Sequence, residues 1–355
     1  MANIHCLGTG LVGSYVAKKL ADMGHKINAY DIRPEKSIIG YRNIIIHQED
    51  ALDNCRNIEK FGDFDIIVNM LPGDIGYSAM KMLCEQDIKV VDLSFSEVTP
   101  DIVMENCENK QASVLWDVGI APGLSNMLLS LAHRELGKLK NGEIRVGGNP
   151  TKQTEGWNYM APFSPNDVIA EYTRPARVVR DSKIVTLEAL SERHMIEVSG
   201  RGEMEAFLTD GLRSVLDSIP ASDMSEYTVR WPGHIQKYID ERKSNLINYE
   251  ELVEEWKYNP QISEFTWMEV MALGNNDVKM RWIITDEGKE DGHSMARCTG
   301  LVTVFCIDEW LNNPNMIGKG VYAPEYLKTD VINRIIEKMR LERIYINLEI
   351  TKQSA

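Results

Sequence analysis

Up to about residue 120, short apolar runs recur at intervals long enough to hold a helix between them. Residues 3–7, 26–30, 44–46, 64–70, 90–93 and 114–116 read as strands. Between the first two, Val12, Val16, Leu20 and Met23 fall on one helical face and Gly24 stops the helix. Strands separated by crossovers pair in parallel, so the pattern predicts a Rossmann-type, doubly wound parallel sheet of the α/β class. After Asn126 the pattern changes. Residues 127–136 read as a helix and 143–146 as a strand, followed by loop-rich sequence carrying Pro150, Pro162, Pro165 and Pro175. Residues 266–272 and 278–285 alternate with period two around Gly274-Asn275-Asn276-Asp277, a hairpin signal. Residues 296–311 read as a buried helix, 330–339 as an amphipathic one and 343–350 as a strand. This half predicts a second α+β domain on a mixed or antiparallel sheet.

A chain of 355 residues exceeds one ordinary core, which agrees with two domains. The net charge of −14, with no Lys/Arg block to offset it, excludes nucleic acid and anionic membrane as expected partners. No run approaches the roughly 18 apolar residues that span a bilayer, and the first residues enter a strand without a basic leader. A cytoplasmic location is expected. The six cysteines are scattered with no C-x-x-C pair, so they are expected to be reduced, buried small hydrophobes. The seven histidines show no paired ligand spacing, and no metal is expected.

The first strand ends in Gly8-Thr9-Gly10-Leu11-Val12-Gly13 and opens a helix, and Asp31 closes the second strand. The first glycine permits a tight turn, the second lets a pyrophosphate approach the backbone, and the third lets helix and strand pack closely. Amides at the helix start, including those of Leu11 and Val12, meet the phosphate charge. Asp31 suits the ribose hydroxyls of NAD and repels a 2′-phosphate. Arg33, two residues on, either attracts that phosphate or is a solvated loop arginine, so NAD is favoured and NADP stays open. Asn69-Met70-Leu71-Pro72-Gly73 and Asp92-Leu93-Ser94-Phe95 also end strands. They place Asn69, Leu71, Pro72, Asp92 and Ser94 along the cofactor, although a Pro-Gly turn also serves plain chain reversal.

The ten residues Asp117-Val-Gly-Ile-Ala-Pro-Gly-Leu-Ser-Asn126 follow another strand and precede a helix. Strand, acid, sharp turn and helix start are the order in which open α/β sheets gather ligands. Asp117 is read as the group that attracts or deprotonates a substrate, as an acid that orients the turn, or as a cofactor contact. Gly119 and Gly123 offer backbone N–H groups to cofactor or substrate.

Together these stretches resemble the saccharopine dehydrogenase-related family. Three further blocks, Glu171-Tyr-Thr-Arg-Pro-Ala-Arg177, Glu205-Ala-Phe-Leu-Thr-Asp-Gly-Leu-Arg213 and Tyr227-Thr-Val-Arg-Trp-Pro-Gly-His234, are similar to its L-lysine 6-dehydrogenase branch. The resemblance covers almost the whole chain. It implies a Rossmann domain over 1–122, a substrate and dimerisation domain over 123–324, and a segment 325–355 that returns to the first domain. It implies an NAD-dependent enzyme that oxidises the ε-amine of lysine, with saccharopine formation or cleavage as the alternative, and a homodimer. A nucleotide-sensing regulator without turnover is the reading from another class.

Oxidising an amine carbon by hydride transfer needs an unprotonated nitrogen. A lysine ε-ammonium, with a pKa near ~10.4, must therefore meet a base or a desolvating pocket. The α-carboxylate calls for an arginine fork. Arg213 and Arg230 are the carboxylate candidates, Arg213 being read within a helix whose Phe207, Leu208, Leu212, Val215 and Leu216 face a core. His234, after Trp231-Pro232-Gly233, is read as a general base, a substrate hydrogen-bond partner or a structural histidine. Tyr172, Thr173 and Arg174 precede Pro175 and either line the cleft or pack an interface. Asp210 is read as an ion-pair partner for Arg213 or as a helix N-terminal charge. Trp157, Trp256, Trp267, Trp282 and Trp310 read as core or interface.

Overall fold

The computed structural model describes residues 1–153 and 155–352, in two compact units. The first comprises Met1–Leu124 and Ala296–Met339, the second Ser125–Met295 and the chain from Arg340 on. The chain thus re-enters the first unit at Ala296, ahead of the expected 325, and leaves it again after Met339.

Six strands open the first unit: β1 Asn3–Leu7, β2 Lys26–Tyr30, β3 Ile44–His47, β4 Ile66–Asn69, β5 Lys89–Asp92 and β6 Ser113–Trp116. The second unit contributes β7 Leu139–Pro150, β8 Ala176–Arg180, β9 Lys183–Leu187, β10 His194–Val198, β11 Gly202–Leu208, β12 Ala221–Arg230, β13 Glu264–Gly274 and β14 Val278–Glu287. Then come β15 Gly320–Tyr322 and β16 Tyr345–Lys352. The first sheet has the order β15-β6-β5-β4-β1-β2-β3 with every pair parallel. This is the doubly wound order 3-2-1-4-5-6 with β15 added beyond β6. The central strands β4, β5 and β6 carry buried runs of Ile, Val and Leu, as strands covered on both faces require.

The second sheet runs β10-β11-β12-β7-β13-β14-β16. It is mixed: β12 pairs with β7 in parallel, and the other pairs are antiparallel. The hairpin expected around Gly274-Asp277 joins β13 to β14. Residues 343–350 do form a strand, but β16 pairs with β14 on the second sheet rather than returning to the first unit.

Two expectations are corrected. Cys84 and Cys107 form a disulfide, while Cys6, Cys55, Cys298 and Cys306 are buried thiols. The bond closes a loop across 23 residues of the first unit, which on the chain-entropy account contributes about 3 kcal/mol. Arg213 does not lie in a helix. Phe207 and Leu208 belong to β11, and the four-residue helix Val215–Ser218 starts after Arg213. Among the described residues no helix is long and apolar enough to cross a membrane.

Candidate active site

In the first unit, the glycines behave as close packing demands. A Cβ on Gly8 would lie 2.7 Å from the Met70 carbonyl oxygen, and one on Gly13 2.4 Å from that of Gly8. At Gly10, by contrast, a Cβ would meet nothing within 4 Å. That open space lies at the start of the helix Leu11–Asp22, where no side chain caps the first amides. The Asp31 carboxylate accepts from the Thr9 amide at 2.6 Å, the Thr9 hydroxyl at 3.0 Å and the Arg33 amide at 2.8 Å. A carboxylate has about four lone-pair sites, so this tie to the glycine loop leaves acceptor capacity. The Arg33 side chain is exposed.

The ends of β4 and β5 are knit together. Asn69 Nδ2 donates to Asp92 Oδ2 at 2.7 Å and to the Gly76 carbonyl at 3.1 Å. Asp92 Oδ1 accepts from the Ser94 amide at 2.7 Å, and the Ser94 hydroxyl donates to the Leu71 carbonyl at 2.6 Å. Asn69 Oδ1 is buried with no partner among the described residues. A buried acceptor left open at a strand's carboxyl end fits a ligand donor. The open space at Gly10, the uncapped amides, Asp31 and Asn69 Oδ1 together fit a dinucleotide.

Asp117, 4% exposed, has φ 54° at the end of β6. The loop after it is closed on itself. The Gly119 amide donates to the Pro122 carbonyl at 3.1 Å, and the Leu124 amide to the Gly119 carbonyl at 2.9 Å. The Gly119 N–H expected to face a ligand is therefore spent inside the loop. The Thr303 hydroxyl donates to the Val118 carbonyl at 2.9 Å, tying the loop to the helix Ser294–Asn312.

In the second unit, Glu226, Thr228 and Arg230 alternate along one face of β12, and Phe207 of β11 lies opposite Thr228 on that face. Arg230, 3% exposed, is the centre of a chain of hydrogen bonds. Its Nε donates to Tyr172 Oη at 3.0 Å, Nη1 to the Val229 carbonyl at 3.0 Å and Nη2 to Tyr159 Oη at 3.3 Å. Tyr172 Oη meets His234 Nε2 at 3.0 Å, and His234 Nδ1 meets the Trp157 carbonyl at 2.8 Å. A carbonyl accepts only, so Nδ1 carries the proton. Nε2 then accepts from Tyr172, and Tyr172 accepts from Arg230. The guanidinium also sits 4.5 Å from the Tyr159 ring centroid. Three of its five N–H groups are engaged, leaving two among the described residues.

This geometry corrects the expectation for His234 as a base. Both ring nitrogens are committed, and burial, with Arg230 and Lys237 adding, pulls its pKa down to about 3. His234 holds Tyr172, which holds Arg230. A histidine buried neutral costs stability in acid: its folded pKa lies below its unfolded one, so its share is present above about pH 6.5 and lost as pH falls toward 3. Chemical denaturation of wild type and His234→Gln should show stabilities that converge between pH 7 and pH 4. A constant gap would contradict the neutral, buried ring.

Around Arg230 the other titratable groups are also displaced. Burial pulls the arginine's pKa down, but Tyr159, Tyr172 and Glu171 more than reverse this and hold it protonated. Burial pushes the enclosed Glu171 carboxyl up to about 7 against the pull of Arg230. Glu226 is pushed up to about 8 by burial, with the Thr209 hydrogen bond opposing and the charges of Glu171 and Asp210 adding.

Of the residues expected here, the structure brings Tyr172, Arg230 and His234 into one cluster. Thr173 is not part of it: the residue is exposed, and its hydroxyl folds back on the Ile169 and Ala170 carbonyls, both at 3.1 Å. Asp210 pairs with Arg177 rather than with Arg213, accepting from its backbone amide, Nε and Nη2, each at 3.0 Å. Arg213 is 2% exposed, with φ 51°, in the irregular segment after β11. Asn126 reaches the same segment, donating to the Ser214 hydroxyl at 3.2 Å. Tyr159, Glu171 and Glu226 were not singled out from sequence. Trp157 and Trp256 are packed among Tyr159, Tyr172, Phe207 and Tyr238, as core tryptophans.

Residues 119–344 match the family described as the saccharopine dehydrogenase C-terminal domain. Among solved structures, the chain is similar to apo saccharopine dehydrogenase (L-Glu forming) from Saccharomyces cerevisiae, with TM-score 0.71 and 14% identity over 99% of this chain and 100% of that one. It is also similar to the homospermidine synthase of Legionella pneumophila in complex with NAD, with TM-score 0.72 and 13% identity over 99% of this chain and 92% of that one. At these identities the two likenesses establish the fold.

Proposed function

The chain belongs to the saccharopine dehydrogenase C-terminal domain family, and from that premise we propose that it is an NAD-dependent oxidoreductase acting on the CH–NH2 group of an amino acid, with the ε-amine of L-lysine as the donor. The observation that carries the reading is Arg230: a buried cation, locked from behind by Tyr172 and His234, with two N–H groups uncommitted among the described residues. Such a fork suits a single α-carboxylate. Arg213, in a neighbouring buried segment, is the second cation assigned to it.

NAD supplies the hydride acceptor when bound. Gly8, Gly10, Leu11, Val12 and Gly13 would hold its pyrophosphate and Asp31 its ribose, with Asn69, Leu71, Pro72, Asp92 and Ser94 around the remainder. Arg33 keeps NADP as a weaker alternative. Asp117 is assigned to the substrate amine, whose proton must leave before the carbon can be oxidised. Glu171, held near neutrality, is suited to receive a proton at its carboxyl oxygen.

The likeness to the yeast enzyme favours saccharopine as a second reading. That substrate carries a further dicarboxylate and needs more cations. The charge of Arg177 is already paired with Asp210, which accepts from its Nε and Nη2, and this supports the simpler amine. The resemblance also supports a homodimer, which sedimentation would measure.

NADH formation with lysine at alkaline pH is the expected result. Turnover of saccharopine with none of lysine would reverse the order, and failure to bind either nucleotide would end both readings. Gly10→Ala should isolate the cofactor site. Its Cβ enters open space, so melting should stay unchanged while NAD affinity falls about tenfold or more. Unaltered affinity would move the pyrophosphate away from Gly10.

A further inference from the structure

Residues 209–214 leave β11 as an irregular segment, yet Thr209, Asp210, Gly211, Leu212 and Arg213 are all buried. Irregular backbone normally stays at the surface, because its polar groups need partners. Here the partners are built in. Arg177 clasps Asp210. Glu226, 3% exposed in the middle of β12, serves Thr209 and Gly211. Its carboxylate oxygen Oε2 accepts from the Thr209 hydroxyl at 2.5 Å, and that hydroxyl is 2.8 Å from the Thr228 hydroxyl. Its backbone carbonyl accepts from the Thr209 amide at 3.2 Å. Gly211 lies directly on the carboxyl group: a Cβ there would stand 2.6 Å from both Cδ and Oε2. Two residues along, Arg213 adopts a left-handed backbone at φ 51°. For an arginine that conformation is unfavourable and persists only where its surroundings impose it.

We propose that Glu226 is a positioning residue, whose carboxyl group fixes the buried 209–214 segment and thereby sets Arg213 to receive the substrate carboxylate. The second half of this statement rests on the amino-acid dehydrogenase reading, while the first half stands without it. The contact required of Glu226 is hydrogen bonding and shape rather than charge. With the carboxyl pushed up to about 8, the neutral acid prevails at neutral pH, and glutamine is its near isostere.

The test compares Glu226→Ala, Glu226→Gln and Gly211→Ala in the full chain, by hydrogen exchange and by kinetics with L-lysine and NAD. In Glu226→Ala, exchange should quicken in the 209–214 amides while the β7 and β13 amides stay protected. The KM for lysine should rise about tenfold with kcat and the KM for NAD little changed, as loss of a carboxylate contact implies. Glu226→Gln should recover most of the wild-type KM, and Gly211→Ala should repeat the alanine phenotype from the other side of the contact. Unchanged exchange in Glu226→Ala would overturn the proposal, as would a KM for NAD that rises alongside that for lysine. A glutamine variant as impaired as the alanine one would overturn it too, by showing that charge is what matters. If the wild type leaves lysine unoxidised, the amine reading fails, and the exchange data alone decide whether Glu226 holds the segment.

Discussion

Replacing Arg230 by methionine is expected to lower folding stability by about 3–5 kcal/mol, the range for removing one member of a buried charged network. Methionine fills the arginine stem but donates nothing. Tyr172 Oη and Tyr159 Oη each lose their donor, while the Val229 carbonyl keeps that of Asn149 Nδ2, and a buried acceptor without one costs roughly 1–3 kcal/mol. Glu171 loses the cation that opposes its burial. In a domain of this size each kcal/mol moves Tm by about 2–4 °C, so calorimetry should record a drop on the order of 10 °C. Arg230→Lys should fall between the two. It keeps the charge but cannot satisfy three acceptors in fixed directions. A methionine variant that melts within a degree of the wild type would mean that the cluster is not the tightly coupled network its distances describe.

Gly123→Ala should be the most damaging change in the first unit. The residue has φ 135°, and an added Cβ would lie 2.0 Å from the Gly119 oxygen and 2.5 Å from its nitrogen. Both obstacles are backbone, so the loop has to open rather than a side chain turn aside. We expect a loss of about 3 kcal/mol or more, combining backbone strain with overpacking. The bonds from Gly119 to Pro122 and from Leu124 to Gly119 should break with it, releasing Asp117 from its left-handed conformation. Hydrogen exchange should therefore quicken in residues 117–124, and kcat should fall further than NAD affinity does. Equal losses in the two would place Asp117 with the cofactor instead of the amine.

The first unit was legible because its signals are local. A strand, three glycines and a closing acid lie within Asn3 to Asp31, and the obstacle to a Cβ on Gly13 is the carbonyl of Gly8, a backbone atom of the motif itself. The second unit was harder to read for definite reasons. Glu226, Thr228 and Arg230 alternate with Tyr227 and Val229, and period two reports that one face is polar without saying whether it meets solvent or a buried site. In β12 it meets a buried site. Phe207, Leu208, Leu212, Val215 and Leu216 are dense enough to suggest a helix, but a buried strand running into a buried loop has the same density. Tyr159 reaches Arg230 across 71 positions of chain, and the two bonded cysteines come from separate elements. Such pairings arise from the fold, and no spacing announces them. Arg230, Tyr172 and His234 were recognisable as candidates, but their division of labour depends on a tautomer that a single carbonyl dictates.

The placement of β16 bears on how the polypeptide acquires its structure during synthesis. Its partner β14 ends at Glu287, and Ala296–Met339, a stretch belonging to the other unit, must be made before Tyr345 appears. The first unit likewise waits for β15 to join β6, which was made some two hundred residues earlier. Each sheet is thus finished by a strand translated after much of the other unit, and neither can close in the order of its own segments. At about 5–20 residues per second, the β14 edge stays unpaired for several seconds after it leaves the ribosome. An exposed edge invites pairing with other chains. In β14, Lys279 and Arg281 stand among the apolar residues of that edge, and charged residues of this kind discourage such pairing while the edge is open.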